Sequence, residues 1–438
     1  MTTITLPVDG GGFVTVDISQ VMYTAPAPVP APPAPTPPPP APTPPPPAPA
    51  PPPPPAVRKA LTQWHKPNQS LGSPSDTATM WADHTHTRTA VNFSAVQMLF
   101  GNPWTIDRTV VNHMVGTGAS GGLLAANWRA GNGGLLVPAG QGPSTAQRNG
   151  YALGGVISCA PVAASDGGHA HLMLRADLLG CVWHSSPDDW ALASWDAAYP
   201  NQPMHSWVRY GSHAATPSLA ASVGANGWID KPGTRSVGGV ILHHNTPTAA
   251  VLYVGDSTTD GDLIVSGACN YQSPGWRAAN AMSQRGVPIT FGRLSQGGAK
   301  WDDIQYQLQA AIDAGVCGAG VIVAIPTFTS NEALTASGHW ARSQTLVTMA
   351  QSAGATVLLI GPMCSTSPSQ VRHDVRALML AAGKPYVDTM LTIGATADLS
   401  VFAAGMCGDP NGAAVHPSAQ ANAALAVVHD NKLTAIIG

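Results

Sequence analysis

The chain has 438 residues, of which 46 are glycine, 42 are proline and only 10% are charged, with 44% apolar side chains and a formal net charge of −3. That length accommodates two or three domains and that apolar fraction fills their cores, while so small a charge leaves no electrostatic footprint for nucleic acid or for an anionic membrane. No apolar run approaches the roughly 18 residues of a membrane-spanning helix, and Met1 to Gln20 carry neither the basic nor the apolar segment of a secretory signal peptide.

Residues 1–24 alternate apolar and polar side chains on either side of Asp9-Gly10-Gly11-Gly12: Ile4, Leu6 and Val8, then Phe13, Val14, Val16 and Ile18. This pattern predicts a short hairpin. A lone two-stranded hairpin is marginal in water, so the segment is expected to anchor on another copy of the chain or on a larger assembly.

Residues 25–56 are a linker. Between Pro26 and Pro55 lie 21 of the 42 prolines, with no charge, and Ala34 to Pro40 is repeated at once by Ala41 to Pro47. Proline fixes φ and donates no hydrogen bond, so polyproline II is expected, roughly 90 Å long at ~3.1 Å per residue. With no basic residue to orient docking, the tract reads as a semi-rigid spacer before it reads as a ligand for an aromatic groove.

Residues 57–247 show no helical period. Short apolar runs (Val110-Val111, Gly154 to Ile157, Ala170 to Leu174, Gly180 to Trp183, Val237 to Leu242) alternate with Gly, Ser, Thr and Asn, which predicts a β-sandwich of jelly-roll type. Nine of the twelve tryptophans fall here: Trp64, Trp81, Trp104, Trp128, Trp183, Trp190, Trp195, Trp207 and Trp228. Indole rings fill cores and also stack on sugar faces; most of the nine are assigned to packing, and one or two exposed rings suffice for a glycan. Gly116 to Gly121 fits G-x-G-x-x-G, but position 141 is Gln and no βαβ unit follows, so a dinucleotide site is not expected. Gly118 to Gly122 fits G-x-S-x-G, without partners or a parallel-sheet setting. The six cysteines are widely spaced with no C-x-x-C, which argues against zinc and favours buried thiols, although Cys159 and Cys181 could close a loop.

Residues 248–438 change texture. Apolar runs at Ala249 to Val254, Pro288 to Phe291, Gly318 to Ile325, Thr356 to Ile360 and Pro385 to Val387 alternate with helical patterns. One of these places Ile304, Leu308, Ala311 and Ile312 behind Asp302-Asp303; the last runs from about Ser418 to His429. Strands alternating with helices imply a parallel sheet covered on both faces, α/β in class. The strand ending at Val254 runs into Gly255-Asp256-Ser257-Thr258-Thr259-Asp260-Gly261. That puts Ser257 at the carboxyl end of a strand, where such sheets bind ligands and where backbone N–H groups can face a developing oxyanion. Taken alone, a serine at that place is more commonly a helix cap.

Four blocks in order raise the functional reading. Gly255-Asp256-Ser257 with Thr258 to Gly261, then Leu294 to Ala299, then Thr327 to Glu332, and finally Val415-His416-Pro417-Ser418 resemble the blocks of the SGNH (GDSL-type) serine esterases over roughly residues 248–438. The resemblance implies a flavodoxin-like three-layer α/β/α domain and acyl transfer through a serine ester. Ser257 would be the nucleophile and His416 the base, and the backbone N–H groups of Ser257 and Gly298 and the amide of Asn331 would bind the oxyanion. Asp256 is expected to tie down its own turn. No cofactor or metal is implied, and His339, His373 and His429 fit surface or helix positions.

Two positions depart from the family pattern. Ala413 stands where an acid three residues before the histidine is usual, so either Asp409 completes a triad or the site works as a Ser–His dyad. Thr329 stands where the third block has glycine. The β-rich, Trp-rich region ahead of such a domain resembles two-domain carbohydrate acetylesterases and phage tail-associated deacetylases. It implies removal of short acyl groups, acetyl above all, from a carbohydrate such as a bacterial surface polysaccharide. An anchoring hairpin, a stiff spacer and no signal peptide fit an extracellular or virion-associated protein, attached to a virion or other assembly through residues 1–24, and a homo-oligomer is compatible with the same hairpin. A lipid or thioester hydrolase of the same family and a non-catalytic glycan-binding adhesin stay open as alternatives.

Overall fold

Near residue 247 the strand pairing changes from antiparallel, as between β14 (Val237–His244) and its neighbours, to parallel, as between β15 (Ala249–Gly255) and its neighbours. The structure, a computed structural model, describes residues 3–8, 12–17, 58–65, 78–86, 93–102, 107–118, 125–130, 135–138, 150–162, 170–179, 205–210, 229–230, 237–244, 249–260, 273–295, 298–408 and 415–438. The proline tract and Asp409 lie outside the described residues, as do Cys181 and the side chains of the nine tryptophans of residues 57–247.

Residues 1–54 and 55–438 fall into separate units. In the first, β1 (Thr3–Val8) and β2 (Gly12–Asp17) pair antiparallel with Thr3 opposite Asp17 and Val8 opposite Gly12, the hairpin that the alternation around the glycines predicts.

In the second unit, residues 58–244 form β3 (Arg58–His65), β4 (Ala78–His86), β5 (Phe93–Asn102), β6 (Arg108–Gly118), β7 (Ala125–Ala130), β8 (Leu135–Val137), β9 (Gly150–Leu153), β10 (Ile157–Val162), β11 (Ala170–Leu179), β12 (His205–Tyr210), β13 (Ile229–Asp230) and β14 (Val237–His244). Seven of them make an antiparallel sheet in the order β13-β12-β4-β11-β6-β7, with β8 on β6. The other five, β3, β5, β9, β10 and β14, belong to a ten-stranded mixed sheet.

The parallel half of that sheet is built from β15 (Ala249–Gly255), α1 (Ser257–Asp260), α2 (Pro274–Gln284), β16 (Ile289–Ser295), α3 (Trp301–Asp313), β17 (Val321–Pro326), α4 (Ala336–Ser352), β18 (Thr356–Ile360), α5 (Gln370–Ala381), β19 (Tyr386–Val387), α6 (Thr389–Ile393) and α7 (Ala419–Ile437). Its order is β16-β15-β17-β18-β19, the doubly wound arrangement whose order reverses beside the first strand. The backbone pairing runs across the boundary expected at 247/248, because β3 lies parallel to β16 with Trp64 opposite Leu294 and His65 opposite Ser295. A two-residue pairing of this kind leaves no local mark in sequence.

Strand alternation distributes the core to both faces of the sheet. Leu252 and Val254 point with Leu294, Val323, Ile325, Val357 and Leu359 toward α3, α4 and α5, where Trp301, Ile304, Leu308, Leu346, Ala350 and Met379 meet them. Val251 and Tyr253 point the other way with Phe291, Ile322 and Leu358, against Trp276, Ala279 and Met282 of α2 and Leu433 of α7. The result is helices on both faces of the parallel strands. The last helix continues eight residues past its expected end at His429 to Ile437. The polar Asp430, Asn431 and Lys432 mask the continuation, but Leu433 returns to the buried face four residues after His429. No helix among the described residues is long and apolar enough to cross a membrane.

Candidate active site

The carboxyl end of β15 delivers the first block. Gly255 ends the strand, and a Cβ there would come within 2.0 Å of the Thr259 hydroxyl. Glycine leaves the room that the close approach of the Thr259 side chain to the strand end requires. Asp256, 3% exposed, accepts from the backbone N–H of Thr258 at 2.9 Å and from the Thr258 hydroxyl at 2.7 Å through one oxygen. Its other oxygen accepts from the Thr329 hydroxyl at 2.7 Å and faces Asn331 Nδ2 at 3.5 Å. The aspartate therefore ties down its own turn and also holds the third block against the first.

The second block follows β16. Gly298 has a φ of +74°, a left-handed conformation that glycine adopts without penalty. The next residue, Ala299, is fully buried and offers its carbonyl to Asn331 Nδ2 at 3.0 Å. The third block follows β17. Thr329, the departure from the family glycine, is 1% exposed; its hydroxyl bonds Asp256, and its oxygen also accepts the Asn331 backbone N–H at 3.3 Å. The threonine thus turns Asn331 toward the other two blocks, as a hydroxyl bonding two residues onward commonly does.

His416 arrives from the opposite end of the domain. Its carbonyl accepts from Gly408 N–H at 2.9 Å, Ser418 N–H donates to Met406 at 2.8 Å, and Cys407 and Pro417 form a bridge. Ser418 caps α7, accepting from Ala421 N–H at 3.1 Å. So fixed, His416 Nε2 lies 2.9 Å from Ser257 Oγ although the two residues are 159 positions apart. His416 is 6% exposed. Asp409 and position 413 lie outside the described residues. Among the described residues, no group of three or more His, Cys, Asp or Glu side chains is placed to hold a metal ion.

Two further histidines lie on helices, one of the two settings expected for them, and long-range packing buries both. His339 on α4 is 1% exposed, and its Nδ1 accepts the Trp301 indole N–H at 3.0 Å. His429 on α7 is 3% exposed, with Nδ1 2.7 Å from the hydroxyl of Tyr253. His373, on α5, is half-buried, with Nε2 2.7 Å from Asp398 Oδ1.

Burial pulls His339 down to about 4, with Glu332 opposing and Arg372 reinforcing the shift, and burial alone pulls His429 down to about 3. Trp301 and Phe328 are the other neighbours of His339, and Tyr253 is the neighbour of His429. Both folded-state values lie below the ordinary histidine value, so as pH falls the unfolded chain takes up protons first. Stability is therefore full above about pH 6.5 and is lost toward pH 4 and below. The thermal unfolding midpoint is expected to drop from pH 7 to pH 4.5, and to drop less in His429→Asn, whose amide oxygen keeps the Tyr253 partner without titrating. An unchanged pH slope in that variant would contradict the assignment.

No protein-family model and no curated protein matches the chain. It is similar to solved structures over less than half its length. A member of the lipolytic protein G-D-S-L family from Veillonella parvula is 12% identical, covering 43% of this chain and 99% of that one at a TM-score of 0.35. The lipase/acylhydrolase from Enterococcus faecalis is 14% identical over 43% and 97% of the two chains, TM-score 0.33. A catalytic mutant of an acetylxylan esterase from Geobacillus stearothermophilus is 13% identical over 43% and 95%, TM-score 0.33. The G-D-S-L family named among them is the one that the four sequence blocks resemble. The chemistry of this site rests on its own geometry.

Proposed function

We propose that the chain is a serine ester hydrolase that removes short acyl groups, acetyl above all, from a carbohydrate. The observation that carries the esterase reading is the 2.9 Å contact between Ser257 Oγ and His416 Nε2 at the carboxyl end of a central parallel strand. With the proton of the imidazole on Nδ1, Nε2 takes the serine proton as Oγ attacks the ester carbonyl, and then delivers it to the departing alcohol. Water enters by the same base to release the acid and restore the serine. The backbone N–H groups of Ser257 and Gly298 and the Asn331 amide are the proposed donors to the tetrahedral oxyanion, each worth about 100-fold or more in rate. Asn331 Nδ2 directs one hydrogen at the Ala299 carbonyl at 3.0 Å and meets Asp256 Oδ2 only at 3.5 Å, so in this reading the oxyanion takes the hydrogen of that longer, weaker contact.

The carbohydrate part of the reading is supported by the Trp-rich strands ahead of the domain and by the low charge, which suits a neutral glycan. The hairpin followed by a stiff spacer supports attachment to a larger extracellular assembly such as a virion. Acetate release from a panel of O-acetylated polysaccharides, beside a p-nitrophenyl ester series of increasing acyl length, tests the proposal. Acetate release with turnover falling steeply beyond propionyl is expected. Turnover rising with acyl length would point to lipids or thioesters, and no turnover of any ester to a glycan-binding adhesin.

A further inference from the structure

The second and third blocks are joined by a stack of four side chains that takes no part in the chemistry just described. Trp301, the first residue of α3, is 1% exposed and lies two residues after Ala299. Its backbone N–H donates to Glu332 at 3.2 Å, which crosses from the second block to the third, and its indole N–H donates to His339 Nδ1 at 3.0 Å. The His339 ring lies 4.3 Å from the ring of Phe328, a third-block residue, between ring centroids. On Phe328 sits the Arg372 guanidinium, 4.7 Å from the ring centroid. Arg372, 9% exposed, in turn donates through Nε to the Met363 carbonyl at 2.8 Å and through an outer nitrogen to the Ser330 hydroxyl at 3.3 Å. Ser330 immediately precedes Asn331. The chain of contacts thus starts beside Gly298-Ala299 and ends beside Asn331, closing on two of the three proposed donors, which must hold a fixed separation if both are to donate to one oxygen.

We infer that Trp301, Phe328, His339 and Arg372 form a clamp that positions Gly298 and Asn331 against each other for oxyanion binding. This rests on the ester-hydrolase reading above. The four are positioning residues: none of them is placed by the structure at the Ser257–His416 pair. The clamp works only with His339 unprotonated at Nδ1, since the indole can donate but cannot accept. A donor held in the ground state at the place where charge develops contributes to kcat, whereas substrate binding does not depend on it.

The test compares His339→Leu, which removes the acceptor, with His339→Asn, whose Oδ1 replaces Nδ1. On p-nitrophenyl acetate, His339→Leu is expected to lose about 10- to 100-fold in kcat with KM within about twofold, a part of the effect of deleting one oxyanion donor. His339→Asn is expected to recover most of the loss. Inactivation by a p-nitrophenyl phosphonate, whose adduct places an oxygen in the oxyanion position, should slow in parallel. If His339→Leu does not fold at the assay temperature, Trp301→Phe, which loses the indole N–H alone, is read the same way. A folded His339→Leu or Trp301→Phe protein with wild-type kcat overturns the clamp while leaving the esterase reading intact. So does a loss that His339→Asn fails to recover. A wild-type protein that turns over no ester overturns the esterase reading and the clamp with it.

Discussion

Ser257→Ala is expected to abolish ester turnover, with kcat falling by about 10⁶-fold, the loss typical of removing a hydroxyl nucleophile paired to a histidine. Among the described residues the hydroxyl of half-buried Ser257 bonds His416, so removing it is expected to leave the fold intact, with stability changed by no more than about 0.5 kcal/mol. Steady-state kinetics on p-nitrophenyl acetate, together with thermal unfolding, measure both halves of the prediction. Retained turnover would remove Ser257 from the mechanism; lost folding would make the result a matter of stability. If the strands of residues 57–247 carry the glycan contacts, the same variant keeps its affinity for the polysaccharide, and binding separates from cleavage.

Asp256→Ala is expected to damage stability and catalysis together. The carboxylate is 3% exposed and receives the Thr258 N–H, the Thr258 hydroxyl and the Thr329 hydroxyl at 2.7–2.9 Å. Removing it strands buried donors from two loops at once, a change that typically costs about 2–4 kcal/mol. It also frees Thr329, which orients Asn331, so kcat should fall by about 100-fold, close to the worth of one oxyanion donor. The urea unfolding midpoint and kcat are the readouts. A wild-type midpoint would show that the first and third blocks stay together without the aspartate. Asp256→Asn is expected to fall between the two, because it keeps one acceptor oxygen while presenting an NH2 group to donors on the other side.

Ser257 and His416 are singled out through the resemblance of four ordered blocks to the SGNH esterases; local pattern by itself marks only their places in the fold. An apolar run ending in Gly255-Asp256-Ser257 announces a strand that turns at once into a helix, and Val415-His416-Pro417-Ser418 announces a helix cap. Asp256 as an acceptor for its own turn was equally legible, since an aspartate two residues before a free N–H is a local motif. What escaped was everything that spans loops. Nothing near Thr329 shows that its hydroxyl meets a carboxylate 73 residues away. Nothing near His339 shows that it is buried against Trp301 rather than solvated on its helix.

The same division holds for the fold. Continuous apolar runs separated by helical periods determined the class, the number of parallel strands and their approximate limits, because burial on both faces of a sheet is written residue by residue along each strand. The hairpin at residues 3–17 was determined in the same way, by alternation around three glycines. Only the tertiary structure decided the strand order, the pairing of β3 with β16 that carries antiparallel strands into the parallel sheet, and the approach of Ser257 to His416 across 159 positions. Periodicity records which face of an element is buried; it does not record which partner buries it. The uneven proline count belongs to the first kind of information, since a proline restricts its own backbone wherever the rest of the chain lies. The geometry of the candidate site belongs to the second, because it exists only where loops from three strand ends and the cap of the last helix converge.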